Sequence, residues 1–127
     1  MEPKRPIKTF EDLIVWQQAH RLTLLIYRLS KGFPQAEVYG LTSQIRRSAS
    51  SISANIVEGF ARGRKEFMQF LTVANGSLEE TKYHLRLAKD LEYLEVRQYD
   101  SLRQEYERLG KLLNALRRSL RPNGPRP

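Results

Sequence analysis

The chain has 127 residues, the size of one domain, and a chain of this length can bury about two thirds of its unfolded surface without covalent staples. It has no cysteine, which excludes disulfides and thiolate metal sites, and no apolar run approaches the roughly 20 residues needed to span a bilayer. Its N-terminus is charged and proline-rich and leads into no apolar signal-peptide core, so a cytoplasmic protein without a membrane partner is expected.

The formal net charge is +8, and its position along the chain is more informative than its size. Residues 1–8 carry a net charge of +2, residues 111–127 carry +5, and the stretch between them is nearly balanced. We divide the chain into a basic arm over residues 1–9, a folded domain over residues 10–120 and a basic, proline-rich tail over residues 121–127, which is expected to be disordered. A basic excess favours acidic partners such as nucleic acid or anionic lipid, without choosing between them.

The first helix is predicted from about Phe10 to Lys31, because apolar residues recur there with helical spacing. Its seam consists of Val15, Ala19, Leu22, Ile26 and Leu29. Thr9 can cap the N-terminus, and Asp12 lies near the positive end of the helix dipole. Gly32 ends the helix, and Pro34 follows where proline cannot continue it.

The second helix is predicted from about Leu41 to Glu58, after a connection over residues 34–40. Its seam consists of Leu41, Ile45, Ala49, Ile52 and Ile56. No acidic residue lies between Glu37 and Glu58, and residues 48–54 are almost all serine or alanine. Serines inside a helix can bond back to its backbone, and small side chains let another backbone come close. This composition indicates a helix that is packed on more than one side.

The third helix is predicted from about Arg64 to Leu91 and the fourth from about Val96 to Leu120. Their seams are Phe67, Leu71, Ala74, Leu78, Thr81, Leu85 and Ala88, and then Tyr99, Leu102, Tyr106, Leu109, Leu113, Leu116 and Leu120. Gly76 interrupts the third helix at a cost of about 1 kcal/mol relative to alanine, so a close packing contact is expected there. Four amphipathic helices with short connections and no strand signal predict an all-α, antiparallel up-down four-helix bundle.

Separated motifs in a fixed order resemble a bacterial four-helix-bundle family that is encoded in intervening sequences of large-subunit ribosomal RNA genes. The opening stretch reads FEDLIVW over residues 10–16. The central motifs are Phe33-Pro34, Tyr39-Gly40-Leu41, Gln44-Ile45-Arg46-Arg47, Asn55-Ile56 and Glu58-Gly59, and the third-helix motifs are Lys65-Glu66-Phe67, Phe70-Leu71 and Gly76-Ser77-Leu78. The resemblance covers about residues 10–120. One departure is the link Arg62-Gly63-Arg64, where family members often carry a serine or threonine cap.

The resemblance implies a bundle that associates into a ring, typically a homopentamer, with no established enzymatic activity. The accessory proteins of diversity-generating retroelements are similar in fold and assembly, and they bind a reverse transcriptase and nucleic acid through a basic surface. The resemblance therefore implies a scaffold or adaptor, and it supplies no reaction.

Several arginines and lysines are candidates for phosphate contact, because a guanidinium matches phosphate with two hydrogen bonds. Arg46 and Arg47 lie in a helix without nearby acids, and the competing interpretation is an ion pair between helices or subunits, for example with Glu58 or Glu37. The loop Arg62, Arg64 and Lys65 is the strongest local candidate, because helix N-termini attract anions, and a solvated loop is the alternative. Further basic residues would add attraction if the termini gather on one face: Lys4, Arg5, Lys8, Arg117, Arg118, Arg121 and Arg126.

Asn55, Glu58 and Gly59 form a polar cluster at the end of the small-residue helix. The favoured interpretation is a capping network that fixes the turn into the third helix, with Gly59 as the C-terminal cap. The alternative is that the cluster lines a contact between subunits.

The remaining polar and aromatic residues give no enzyme signature. His20 and His84 are isolated, and Glu80 with His84 makes one pair where di-iron bundles need two, so no metal or cofactor is expected. There is no nucleophile elbow and no glycine-rich phosphate loop. The aromatic residues are spaced as core or subunit-contact positions, with base stacking as a minor alternative: Trp16, Tyr27, Phe33, Tyr39, Phe60, Phe67 and Phe70.

The sequence thus predicts a non-catalytic homo-oligomer that binds RNA or DNA through a basic surface. Self-association is expected because the second and third helices carry apolar or small residues on wider arcs than one core contact needs. The alternative is a protein adaptor, such as an accessory subunit of a diversity-generating retroelement reverse transcriptase. A structural oligomer whose charge serves only solubility is a third possibility.

Overall fold

The computed structural model of the chain describes residues 6–122. The predictions for Lys4, Arg5, Arg126 and most of the basic tail fall on residues 1–5 and 123–127, outside the described residues. Within residues 6–122 no helix is long and apolar enough to cross a membrane.

Four α-helices and two short 3-10 turns make up the described chain, with no strand between residues 6 and 122. The helices are α1 (Ile14–Ser30), α2 (Leu41–Phe60), α3 (Arg64–Asp90) and α4 (Val96–Ser119), and the turns are Phe10–Asp12 and Gln35–Glu37. Short connections make consecutive helices antiparallel neighbours, and α4 returns beside α1, which closes a four-helix bundle. The predicted all-α four-helix fold is confirmed.

The core is built from the predicted seams. The side chains with almost no exposed surface include Leu22 and Ile26 of α1, Ile45, Ile52 and Ile56 of α2, Leu71, Leu78 and Leu85 of α3, and Tyr106, Leu109 and Leu113 of α4. Leu29, Leu116 and Leu120, at the ends of their seams, are only half-buried. Burial of these stripes supplies most of the stability, because helices of this length are marginal in water on their own.

The first helix begins later than predicted. Residues 10–12 form a 3-10 turn, and Leu13 has extended backbone (φ −77°, ψ 127°), so α1 starts at Ile14. The carboxylate of Asp12 accepts hydrogen bonds from the backbone amides of Lys8 and Thr9 at 2.8 and 2.9 Å. These bonds hold the entry segment in a tight turn instead of an added helical turn, while Leu13 is buried in the core.

Gly59 is not a helix cap, so the capping prediction is wrong. It is buried inside α2, which continues to Phe60. A Cβ at position 59 would lie 2.7 Å from the Cβ of Phe70 and 2.9 Å from the Cδ1 of Phe67. Glycine is therefore required because α3 approaches the backbone of α2 too closely for any side chain.

Gly76 shows the opposite arrangement, and the packing contact predicted for it is absent within residues 6–122. A Cβ at position 76 would meet no atom within 4 Å, and the residue lies on the exposed face of α3. The glycine thus weakens α3 without a packing gain inside the subunit.

A polar ladder joins α2 to α3. Its members are Ser48, Ser51 and Asn55 of α2 and Ser77, Thr81 and His84 of α3. The hydroxyl of Thr81 donates to the Ser48 Oγ at 2.9 Å, and the hydroxyls of Ser51 and Ser77 are also 2.9 Å apart. The Nδ1 of His84 lies 3.2 Å from the Ser48 Oγ. Buried hydroxyls satisfied in this way let two helices of small residues pack closely without orphaned polar groups.

We predict that Gly59→Ala lowers the free energy of unfolding by about 1–3 kcal/mol, because the new methyl group overpacks the α2–α3 contact. The matched control is Gly110→Ala in α4, whose new methyl group would lie 3.7 Å from the Cδ2 of Leu78, an ordinary contact, and which should raise the free energy of unfolding by about 1 kcal/mol through helix propensity. Urea denaturation of the parent and the two variants, all at the same protein concentration, measures both changes in the free energy of unfolding. Equal stability of the Gly59 variant and the parent would contradict the contact.

We further predict that stability falls as the pH is lowered from 7.5 to 5.5. Burial lowers the pKa of His84 below its ordinary value of 6.5, against the opposing effect of the Glu80 carboxylate 4.0 Å from Nε2. The unfolded chain then binds the proton first, so acidification through this range favours unfolding. His84→Asn should flatten the pH dependence of the urea midpoint, whereas the same change at exposed His20 should leave it as in the parent. Parallel curves for parent and His84→Asn would refute this role.

A candidate nucleic-acid interface at one end of the bundle

One end of the bundle collects most of the predicted basic residues. We define the basic end as residues 58–66, at the α2–α3 junction, together with residues 117–121, at the end of α4. These two segments carry six basic side chains and two acidic ones, Glu58 and Glu66. The basic side chains are Arg62, Arg64, Lys65, Arg117, Arg118 and Arg121.

Arg64 ties the two segments together. Its Nε donates to the carbonyl oxygen of Leu120 at 2.7 Å, and its Nη2 donates to that of Ser119 at 2.9 Å. The last carbonyls of a helix have no partner of their own and carry the negative end of the dipole. The Arg64 guanidinium therefore acts as a C-terminal cap of α4, and this engagement makes Arg64 a poor phosphate ligand.

Two further arginines of the basic end are partly engaged. The Nη2 of Arg62 lies 2.6 Å from the Oε1 of Glu58, and its guanidinium carbon lies 5.2 Å from the centre of the Phe70 ring. The Nη1 of Arg117 donates to the hydroxyl of Thr72 at 3.1 Å. Both ion pair and hydrogen bond are exposed, so competition with solvent and salt keeps them weak.

The remaining cations of the basic end are free. The side chains of Lys65, Arg118 and Arg121 are exposed and make no hydrogen bond or ion pair with any part of the chain from residue 6 to 122. Ile7 lines a cavity with Leu116, so residues 7–8 lie at the same end. Residues 7–8 and 117–121 therefore lie at one end of the bundle, which is the condition under which their charges would add.

Arg46 and Arg47 lie at the other end of α2, about 20 Å from the basic end along the helix. Arg46 Nε donates to the Ser30 Oγ at 2.8 Å, and its Nη2 donates to the carbonyl oxygen of Tyr27 at 3.2 Å. Arg46 therefore caps α1, in parallel with Arg64 on α4. Within the subunit it forms no ion pair with Glu37 or Glu58, and an ion pair between subunits stays a prediction. Arg47 is exposed, and its side chain has no partner within the described chain.

The predicted polar cluster is divided by the structure. Asn55 belongs to the polar ladder, since its Nδ2 donates to the carbonyl oxygen of Ser51 at 2.8 Å and lies 3.0 Å from the Ser51 Oγ. Glu58 is exposed and pairs with Arg62, and Gly59 is the close-packing position described above. No capping network forms at the turn into α3, whose N-cap residue Gly63 supplies no side-chain cap.

Most aromatic residues serve packing. Phe33 and Phe67 are buried, while Trp16, Phe60 and Phe70 are half-buried. Tyr39 is 94% exposed and Tyr27 is 41% exposed, so neither is a core residue of the subunit. Residues 6–122 contain no group of three or more acidic or histidine side chains placed to hold a metal ion.

Two relationships support placing this bundle in a known family. The family model described as 23S rRNA-intervening sequence protein matches residues 11–115. This chain belongs to that family. A crystal structure of a protein of unknown function from the S23 ribosomal protein family of Bacteroides thetaiotaomicron is 30% identical, with a TM-score of 0.75 over 81% of this chain and 97% of that one. No curated protein matches significantly.

The family model accounts for the bundle and does not say which of its cations are free. Sequence reasoning grouped Arg64 with Lys65 and missed the bonds from Arg64 to α4, which span 55 and 56 positions of the chain. No local sequence pattern predicts a hydrogen bond between residues so far apart in the chain. The basic last turn of α4, in contrast, was visible in the sequence as Arg117 and Arg118.

Proposed function

We propose that this chain is a cytoplasmic, non-catalytic scaffold that associates with itself and binds RNA or DNA through its basic end. The observation that carries the proposal is the set of unpaired cations Lys65, Arg118 and Arg121 at that end. Unpaired basic side chains are the part of a protein that phosphates engage most readily, because no internal ion pair has to be broken.

The start of α3 adds to this attraction. Gly63 provides no side-chain cap, so the first backbone amides of α3 are left for another acceptor, and the helix dipole there is positive. Phosphates bound at this point would lie beside Lys65. Such contacts follow the backbone of a nucleic acid and do not by themselves choose a sequence.

Self-association is supported by an exposed, partly apolar face of α3. Val73 is 53% exposed and Tyr83 is 60% exposed, and Gly76 lies between them with open space above it. A second subunit packed on this face would account for a glycine that the subunit itself does not use. A homopentameric ring is the assembly that the family resemblance implies, and it would repeat the basic end once per subunit.

The second candidate function is a protein adaptor, such as an accessory subunit of a diversity-generating retroelement reverse transcriptase. It is favoured by the engagement of Arg46 and Arg64 inside the subunit, which leaves fewer cations for nucleic acid than the net charge suggests. In that case nucleic acid alone would bind weakly and the partner protein would add affinity.

We predict that neutralising Lys65, Arg118 and Arg121 together to glutamine weakens nucleic-acid binding at least tenfold at physiological salt. Each lost phosphate contact also makes the plot of the logarithm of the binding constant against the logarithm of the salt concentration less steep, by about 0.9 on duplex DNA. Fluorescence anisotropy with labelled duplex DNA, single strands and structured RNA measures both. Arg64 is left intact because its loss would uncap α4.

The matched control removes the same charge at the other end through Arg28, Lys31 and Arg47, all exposed and without a side-chain partner in residues 6–122. It should change affinity less than threefold. Equal losses in the two triple variants would show that only net charge matters, and unchanged affinity in the first would remove the basic end as the site.

For self-association, we predict that the parent protein has a mass in solution that is a multiple of 14.9 kDa at micromolar concentration. Val73→Glu should shift the protein towards the monomer, because a buried unpaired carboxylate is costly. Val96→Glu is the control, since Val96 is 59% exposed at the start of α4. Light scattering after size-exclusion chromatography gives the masses, and a monomeric parent would contradict the proposal.

A further inference from the structure

An open groove runs along the bundle between α1 and α4. These two helices touch each other less than any other pair of neighbours in the bundle. Cavities of about 490, 280 and 330 Å³ follow one another along the seam. We call this the α1–α4 groove, and its walls include Ile14, Arg21 and Leu25 of α1 and Leu102, Glu105 and Leu112 of α4.

The floor of the groove is apolar at both ends. The largest of the three cavities is lined by Ile7, Asp12, Leu13, Ile14, Val15, Leu112 and Leu116. The cavity at the opposite end is lined by Leu25, Leu29 and Leu102 together with Arg97, Gln98 and Ser101. Ile14 is 63% exposed and Leu112 is 40% exposed. Large aliphatic side chains that are exposed and adjacent mark a surface that another molecule covers.

The rim of the groove is basic. Arg97 and Arg108 line the cavities, and their side chains make no hydrogen bond or ion pair with the chain from residue 6 to 122. Glu105 is already held by Arg21 at 2.6 Å across the groove. The carboxylate of Asp12 accepts the backbone amides of Lys8 and Thr9. The charge left for a partner is therefore positive.

The dimensions of the groove suit an α-helix. From Ile14 to Leu29 the α1 wall extends about 22 Å, the length of about 15 helical residues. Two apolar sections separated by a polar centre match a helix with aliphatic anchors on one face of its two end turns and polar residues between them. An acyl chain fits poorly, because it would have to pass the Arg21–Glu105 ion pair midway. Phosphates fit poorly too, because they could pair with Arg97 and Arg108 but would leave the apolar side chains at the two ends of the groove uncovered.

We propose that the α1–α4 groove is a docking site for an amphipathic helix of another protein, with aliphatic anchors on one face and acidic residues beside them. Its aliphatic side chains fill the two apolar sections, and its carboxylates pair with Arg97 and Arg108. Arg21 and Glu105 contact its polar centre. This inference does not rest on nucleic-acid binding by the basic end.

The test uses a synthetic 15-residue helical peptide with leucines at helical spacing and glutamates flanking them, at physiological salt. Isothermal titration of the full chain should show saturable binding. A peptide of the same composition with the leucines scrambled around the helix should bind at least tenfold more weakly. Comparable binding of both peptides would reduce the interaction to charge attraction and overturn the proposal.

Protein variants locate the site. Ile14→Glu should weaken binding of the amphipathic peptide at least tenfold, while the control Leu24→Glu, on the same helix but outside the cavities, should not. Arg108→Glu should weaken binding of the glutamate-flanked peptide and strengthen binding of a lysine-flanked version of it. Arg47→Glu should change neither affinity. All four positions are exposed or line the surface, so circular dichroism should show the folded protein in each case.

Equal affinity of Ile14→Glu and Leu24→Glu for the peptide would overturn the site. So would dissociation of the protein's own assembly by Ile14→Glu without any peptide binding by the parent, because a second copy would then cover the groove. The uncharged variant Leu25→Gln, at the end of the groove far from the basic end, should weaken peptide binding and leave nucleic-acid binding unchanged, so this proposal and the function of the basic end fail separately.

Discussion

The close approach of α2 and α3 is the constraint on which the rest of the structure depends. Gly59 leaves no room for a side chain against Phe67 and Phe70, and the polar ladder satisfies the hydroxyls that small residues bring into the contact. This pair forms the most extensive helix contact of the bundle. Because α2 ends beside the start of α3, the three-residue link between them lies at the basic end of the bundle. Arg64 is thereby placed against the last carbonyl groups of α4.

That arrangement sorts the positive charge into two classes. Arg46 and Arg64 each cap a neighbouring helix, so they stabilise the bundle and are removed from the charge that a partner can use. Lys65, Arg118 and Arg121 remain unpaired at the basic end. A net charge of +8 therefore overstates the attraction available to nucleic acid, and the position of the free cations is the better guide to binding.

Helix bounds and the core followed from apolar periodicity, because burial of one stripe per helix decides both. The late start of α1 could not be predicted from apolar periodicity, because the hydrogen bonds from the backbone amides of Lys8 and Thr9 to the Asp12 carboxylate compete with helix extension. Gly59 was misassigned for a related reason: sequence shows that a glycine is unusual but not which neighbour approaches it, and within residues 6–122 no neighbour approaches Gly76. The basic end was predictable as composition, whereas the caps made by Arg46 and Arg64 and the α1–α4 groove depend on distant contacts. The environment of His84 also depends on a distant contact, with Ser48 of α2.

Position-specific photo-crosslinking to nucleic acid tests the central claim most directly. A photoreactive amino acid such as benzoylphenylalanine would replace Lys65 or Arg118 at the basic end, or Lys31 or Arg47 at the other end, with labelled RNA or DNA present. We expect crosslinks from positions 65 and 118 that disappear as salt is raised, and background yield from positions 31 and 47. Crosslinks of equal yield from both ends, or stronger ones from positions 31 and 47, would contradict a nucleic-acid site at the basic end.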